Sequence, residues 1–559
     1  MLVIDTDCLT VVLAGHRSRH SVGTEEHMTV TRRDLLRIGT FGAAALALPP
    51  GAWAQGKKPW EVWEYKTPPV RGGYYRRSAT LDVGLLNPNH WPVNDWLVIN
   101  MFYEKLLITD GSFRPVPWLA ESWTFPDPLT CVMKLRKGVQ FSDGEPLNAA
   151  AVKFQMEWIK DPKNGTWTAG WLKPLRAVEV ADEHTVRWKF EEPWGGFLGV
   201  MANVPGYMIS PKLLRDDPKK ADAQPVGTGP YLLEDRSAGS WVKVKRNPSW
   251  WFGKSVGHPE MPYFDGMLTT VIPDPSVQLA NLKAGKLDWM TLSKSQFEAV
   301  KGDPTLSVFV GPVNHVRGYR FNHSKPPFDD LRVRQAVAYA IDRQAIITGI
   351  EFGMGRIASC MYPEDHWAHN PNLKPWPHDP ARAKQLLKEA GHDKGLTVAG
   401  YVVNEVQNRA RAEAVKAMLA EVGITWKVDE LAPAAIADRM KNLDYQLADG
   451  GWTWIYDPDL MASGLYHPTG GFNYGRSKND AAIAFIEQGR REVDTEKRRQ
   501  IYWNLEKVLY DNCEDVWAFW EMWPSAYRKP VQGYDHEMIV KHKEIWAWSH
   551  PLWFKDGRV

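Results

Sequence analysis

Residues 396–431 read "LTVAGYVVNEVQNRARAEAVKAMLAEVGITWKVDEL", and they decide the fold class. The stretch opens on "LTVAGYVV" and closes on "TWKVDEL", two short runs of strand type. Between them, "NRARAEAVKAMLAEVGI" returns apolar residues at helical spacing, which predicts Val415, Met418, Leu419 and Val422 facing inward and Gly423 as the stop. Strand, helix and strand with short links predict a βαβ-like unit, hence an open α/β sheet with the helix on its face. Sheets of this kind bind ligands at the ends of their strands.

The pattern continues on the N-terminal side. "DPARAKQLLKEAG" predicts a helix with Asp379 as N-cap, Pro380 in the first turn, Gly391 as the stop and a buried stripe of Ala383, Leu386, Leu387 and Ala390. Earlier, "TCVMKLRKGVQFSDGEPL" and "HTVRWKF" alternate, with Val186, Trp188 and Phe190 on one side, so both read as half-buried strands. Asn148 then caps a helix in which Val152, Met156 and Ile159 recur at helical spacing. Residues 57–73 hold three prolines and read as an irregular lead-in, with folded pattern beginning near Tyr74. No internal period of roughly 20–50 residues is present, which argues against solenoids and propellers.

At 559 residues the chain exceeds the reach of one hydrophobic core, so two or three domains are expected. Lys plus Arg number 68 against 66 Asp plus Glu, a balance that does not suit a polyanionic partner, so nucleic acid is not expected. The 28 Trp exceed what core filling requires, and many of these rings are expected to line surfaces or clefts. From Met28, "MTVTRRDLLRIGTFGAAALALPPGAWAQG" has a charged start, a Gly/Ala-rich middle and Ala52-Trp53-Ala54 ahead of Gln55, the pattern of a cleavable export peptide over residues 28–54. Arg32-Arg33 gives it a twin-arginine look, and residues 1–27 read as an upstream extension. Beyond Ala54 only Cys131, Cys360 and Cys513 remain, enough for one disulfide at most, and no cysteine stands where a lipid anchor would attach.

Catalytic signatures are sparse. There is no H-E-x-x-H, and Gly253-Lys254-Ser255 has Pro248 where a phosphate loop needs glycine. Gly227-Thr228-Gly229 runs into Pro230-Tyr231 and reads as a turn. Glu364-Asp365-His366-Trp367-Ala368-His369 could gather metal ligands, but its flanking prolines predict a solvated loop. Paired carboxylates for sugar hydrolysis need not be close in sequence.

Four segments, in order, resemble the family-5 solute-binding proteins of ABC importers, the dipeptide, oligopeptide and nickel-binding class. They are "GVQFSDGEPLNAAAVKFQMEWI", "VGTGPYLLEDRSAGSWVKVKRNPSWW", "LKAGKLDW" and "FNHSKPPFDDLRVRQAVAYAIDR", and the resemblance runs over roughly residues 72–540. In the last, Asp329 or Asp330 caps a helix whose apolar face is Val333, Val337, Ala340 and Ile341, so these motifs read as scaffold. The resemblance implies an α/β protein of two lobes, the type II clamshell of periplasmic binding proteins, with an extra subdomain on the first lobe and a chain that crosses the hinge twice. The implied segments are 55–105, 223–318 and 521–559 for the first lobe, 106–222 for the subdomain and 319–520 for the second lobe. A solute is then captured by closure of the lobes.

The resemblance also locates a cleft. In peptide-binding relatives the strand leading to the Trp of "DGGWTWIYDPD" (residues 449–459) carries ligand contacts, and an acid three residues beyond that Trp pairs with the peptide's amino terminus. Here Trp452 has Ile455 at that spacing, so the acid is absent or displaced to Asp457, and Asp449 is a further carboxylate. The resemblance thus points to Asp449, Gly451, Trp452, Trp454, Tyr456 and Asp457. Carboxylates beside aromatic faces suit a cationic group, and aromatic faces alone suit sugars; packing of both tryptophans is the alternative. "NPNHWPVNDW" offers a second wall through Trp91, Asn94, Asp95 and Trp96, and Tyr319 and Asn322 stand at the end of another strand. The resulting expectation is a periplasmic, monomeric, non-enzymatic component of an ABC importer that needs no cofactor, binds one small organic solute and delivers it to a membrane permease. Peptides are the family default, and Ile455 brings in an opine-like amino-acid conjugate or an oligosaccharide. A secreted hydrolase and a metal or metallophore binder using His366 and His369 are the competing readings.

Overall fold

The computed structural model describes residues 65, 67–311, 315–453, 456–533 and 551–557, together with the two-residue strands Ile4–Asp5 and Cys8–Leu9. Those two strands pair antiparallel and belong to a separate unit, Met1–Lys57. The export signal at 28–54 lies outside the described residues, as do Trp454 and Ile455.

The βαβ unit forms as its spacing predicts. Strands Leu396–Val403 and Ile424–Leu431 pair in parallel along their full length, joined by helix Val406–Glu421. Val415 and Leu419 are completely buried under that helix, and Gly423 takes φ +91°, the left-handed conformation that ends a helix without steric cost. Side-chain caps also form as read: Asn148 accepts from Ala151 N, Asp379 from Arg382 N and Asp330 from Arg332 N.

Three larger sheets organise the rest. Tyr74–Ala79, Tyr231–Ser237, Trp241–Arg246, Gly266–Val271, Trp289–Thr291, Leu306–Val310 and Pro524–Arg528 form one mixed seven-stranded sheet. Ala120–Asp127, Thr130–Leu135, Leu175–Asp182 and Thr185–Phe190 form an antiparallel sheet of four strands, with Val186, Trp188 and Phe190 buried along one side. A second four-stranded sheet runs in the order Gly355–Ile357, Asp515–Glu521, His315–Phe321, Leu447–Trp452, and the βαβ pair adjoins it through Gln446 N donating to Ala399 O. The chain leaves the seven-stranded sheet after Val310, enters this last sheet at His315, and returns to the first over residues 522–523.

Each lobe has its own core. Trp118, Trp188, Phe197 and Met208 belong to the first, while Phe321, Val337, Leu419 and Phe519 belong to the second. The tryptophans behave differently from the sequence-based expectation: among the described ones only Trp91 and Trp523 are exposed, at 61 % and 44 %. The others are buried or half-buried, and several find acceptors for the indole N–H: Trp118, Trp250 and Trp251 donate to Glu104, Trp167 to Pro88 O and Trp426 to Leu447 O. The Gly-Thr-Gly segment is a turn dictated by close approach, since a Cβ on Gly227 would lie 2.2 Å from Phe102 O and one on Gly229 2.6 Å from Met101 O. Cys131, Cys360 and Cys513 are buried free thiols, so no disulfide links them.

Candidate functional site

Strand Leu447–Trp452 is the edge of its sheet and pairs antiparallel with His315–Phe321, setting Tyr319 opposite Asp449 and Arg317 opposite Gly451. Alternation along a strand then places Asp449 and Gly451 on one face, Gly450 and Trp452 on the other. On the second face Trp452 is 9 % exposed, edge-on to Phe472 at 5.1 Å and in contact with Gly464. Trp452 is therefore held by packing. On the first face a Cβ at Gly451 would fall 2.3 Å from His315 Nε2, so the glycine makes room for the imidazole.

That first face carries a charge cluster gathered from six separate elements. Glu521 Oε2 lies 2.8 Å from His315 Nδ1 and 3.0 Å from Arg317 Nε, and Glu351 accepts from Arg411 Nη1 at 2.7 Å. Lys294, at the start of helix Lys294–Val300 in the first lobe, pairs with Glu351 and stands 3.7 Å from Glu521, so the cluster spans both lobes. Burial pushes the Glu521 carboxyl upward, but His315, Arg317 and Arg411 outweigh it and hold it at about 2. Burial lowers His315, while its contact with Glu521 pulls the other way. Asp449 is raised, chiefly by burial, with Arg411 and Arg317 pulling the other way. Its half-buried carboxylate makes no hydrogen bond or ion pair among the described residues.

Asp457 turns out to be structural. It is 2 % exposed, both oxygens accept from Arg498 at 2.7 Å, and Oδ1 also caps helix Pro458–Tyr466 through Asp459 N. An acid so engaged is not open to a ligand's amine, which removes the displaced partner that the family resemblance suggested. Tyr456 is half-buried and faces Lys105 across the lobes, with Lys105 Nζ 5.7 Å from its ring and 5.4 Å from that of Tyr207. Trp96 stacks on Tyr207 at 6.2 Å, so Trp96, Tyr207, Lys105 and Tyr456 form one aromatic wall to which both lobes contribute.

The remaining sequence candidates scatter. Asp95 is bound bidentately by Arg77 and caps helix Trp96–Phe102, while Asn94 donates to Asp82 O and Trp91 lies edge-on to Trp167 on an exposed surface. Tyr319 is buried against Trp426, and Asn322 is completely buried, donating to Leu443 O and Tyr445 O. Both serve the scaffold. The His366 segment is not solvated: His366 is 3 % exposed, stacked between Phe113 and Tyr362, and His369 is held by Glu506. Among the described residues no group of three His, Cys, Asp or Glu side chains is placed to hold a metal ion. Sequence reasoning missed Lys294, His315, Arg317, Glu351, Arg411 and Glu521, because they share no motif and meet only through tertiary packing.

Comparison with known proteins matches the geometry. Residues 114–473 match the family model described as bacterial extracellular solute-binding proteins, family 5 Middle. The glutathione-binding protein GsiB of Escherichia coli (strain K12) is 28 % identical over 465 residues, covering 79 % of this chain and 88 % of GsiB. Among solved structures, NikA from Brucella suis in complex with Fe(III)-EDTA superposes with a TM-score of 0.77 at 24 % identity over 86 % of this chain and all of that one. DppA from Helicobacter pylori in complex with the peptide STSA gives a TM-score of 0.71 at 22 % identity over 87 % of this chain and 99 % of that one. These structural likenesses establish the two-lobed periplasmic-binding-protein fold of type II, and the family match covers more than half of the chain. The chain belongs to the bacterial extracellular solute-binding proteins of family 5.

Proposed function

We propose that the protein is the periplasmic, non-enzymatic capture component of an ABC importer, taking a small peptide or amino-acid conjugate between its lobes and delivering it to a membrane permease. One observation carries the reading: Asp449, on the edge strand Leu447–Trp452, is half-buried and has no hydrogen-bond or ion-pair partner among the described residues. An edge strand offers unpaired backbone groups to an extended ligand, and an unpartnered carboxylate offers a place for its amine. Trp96, Tyr207 and Tyr456 add aromatic faces contributed by both lobes. The GsiB relative, named for binding glutathione, and the DppA structure with its bound peptide support amide-containing solutes. The Arg32-Arg33 segment serves as a twin-arginine export signal in this reading, and the protein works as a monomer. In this reading the lobe edges follow the two crossings: the first lobe takes 55–105, 223–310 and 524–559, the subdomain 106–222 and the second lobe 315–521.

Native mass spectrometry of protein purified from its own periplasm, followed by a thermal-shift panel of peptides, conjugates and oligosaccharides, tests this. A solute at ~100 times Kd adds about 2.7 kcal/mol of stability. The expected result is a bound mass recovered unchanged and a shift with peptides or conjugates. Turnover of the bound solute would replace capture by hydrolysis, and a shift with sugars alone would move the substrate class.

A further inference from the structure

Asp449 and Arg317 lie on the same face of the antiparallel pair His315–Phe321 and Leu447–Trp452, as diagonal neighbours across the ladder. Each lacks partners in a way that complements the other. The Asp449 carboxylate accepts nothing among the described residues. Arg317 Nε stands 3.0 Å from Glu521 Oε2 as an ion pair without a hydrogen bond, its two NH2 groups donate no hydrogen bond among the described residues, and its side chain stays 17 % exposed. The surrounding groups do not fill the gap. Arg411 is held by Glu351 and Asn408, and Lys294 by Glu351. His315 directs Nδ1 at Glu521, which leaves Nε2, lying over Gly451, as a lone-pair acceptor.

The charge count narrows the ligand. Lys294, Arg317 and Arg411 stand against Glu351, Asp449 and Glu521, so the cluster is balanced as it is. Burying one more isolated charge there would leave it uncompensated, which is costly. A group that carries an ammonium and a carboxylate on the same carbon adds no net charge. It also supplies donors to Asp449 and acceptors to Arg317, both as charge-assisted hydrogen bonds.

We propose that Asp449 and Arg317 form the subsite for a free α-amino-acid head group, with the ammonium on Asp449 and His315 Nε2 and the carboxylate on the NH2 groups of Arg317. This rests on the solute-capture reading above and makes it more specific. A linear peptide separates its free ammonium and free carboxylate to opposite ends, so it cannot place both in this subsite. The solutes that can are free amino acids and conjugates joined through a side chain, such as γ-glutamyl peptides.

Isothermal titration of the mature chain with γ-glutamylalanine, its N-acetyl and α-amide derivatives, and the linear isomer α-glutamylalanine tests the assignment. γ-Glutamylalanine should bind, and each derivative and the linear isomer should bind at least tenfold more weakly. Asp449→Asn should lose tenfold or more for γ-glutamylalanine and little for its N-acetyl form. Arg317→Gln should lose affinity for the free acid but not for the α-amide. Because Arg317→Gln also removes a contact of Glu521, the Asp449→Asn comparison stands alone if that variant fails to fold. A linear isomer bound as tightly as γ-glutamylalanine, or an Asp449→Asn protein that binds γ-glutamylalanine normally, overturns the subsite and leaves solute capture standing. No binding by any peptide or conjugate overturns both.

Discussion

Glu104 in the first lobe and Glu521 in the second are both buried carboxylates, and their surroundings drive them in opposite directions. Glu104 is completely inaccessible and accepts four hydrogen bonds from neutral donors, the indole N–H groups of Trp118, Trp250 and Trp251 and the hydroxyl of Thr228. Burial outweighs those bonds and pushes its carboxyl up to about 7. Glu521 is 2 % exposed but faces His315, Arg317, Lys294 and Arg411, and is held at about 2. Hydrogen bonds satisfy a buried carboxylate locally, but cationic neighbours offset the loss of water far more effectively. Glu104 ties together the helix end, the Gly-Thr-Gly turn and the Trp pair of the first lobe, whereas Glu521 sits beside the crossing at 522–523 and joins the two lobes.

The strongest way to break this contrast is Glu521→Gln. Removing the acid leaves Arg317 without its ion-pair partner and weakens the hold on Lys294 and Arg411, at an expected cost of about 3–5 kcal/mol in urea unfolding. A loss below about 1 kcal/mol would show the cluster to be well solvated. Next in size is the pH dependence. Glu104 binds its proton more tightly folded than unfolded, so its contribution to stability is highest below its ordinary value of 4.5 and falls as pH rises to about 7. That fall amounts to roughly 3 kcal/mol. Glu521 has the opposite sign: its contribution is complete above 4.5 and is lost as pH falls to about 2. Unfolding measured from pH 4 to pH 8 should therefore show a downward slope that Glu104→Gln flattens, whatever that variant costs overall. A slope unchanged by the substitution would assign it to other groups. The smallest effect is expected from Thr228→Val, which deletes one of the four donors on Glu104. It should cost about 1 kcal/mol and extend the Glu104 window to higher pH in the same titration.

Much of the scaffold was legible in the sequence because caps and periodicity act locally. Asn148, Asp330 and Asp379 cap the helices they were expected to cap, and the stretch from Leu396 to Leu431 forms its parallel pair. The candidate site was less legible. Asp449 was named, but its neighbours Arg317 and His315 come from a strand more than a hundred residues away and were not. Asp457 looked available only because nothing in its own segment announces Arg498, which arrives from helix Thr495–Asp511. His366 looked solvated because flanking prolines suggest a loop, and a loop can still be buried when aromatic rings stack on both sides of it, as Phe113 and Tyr362 do.

By itself, then, the sequence determined the α/β class, the family and the helix boundaries. Each rests on residues within a few turns of one another, and short-range backbone and capping preferences survive without knowledge of the rest of the chain. Only the tertiary structure decided which carboxylates are free and which are engaged. Asp449, Asp457, Glu104 and Glu521 are the same two residue types, and what separates them is burial and the charge of neighbours brought in from distant segments. Electrostatic interactions act through space rather than along the chain, so folding had to bring those groups together before the acids could differ.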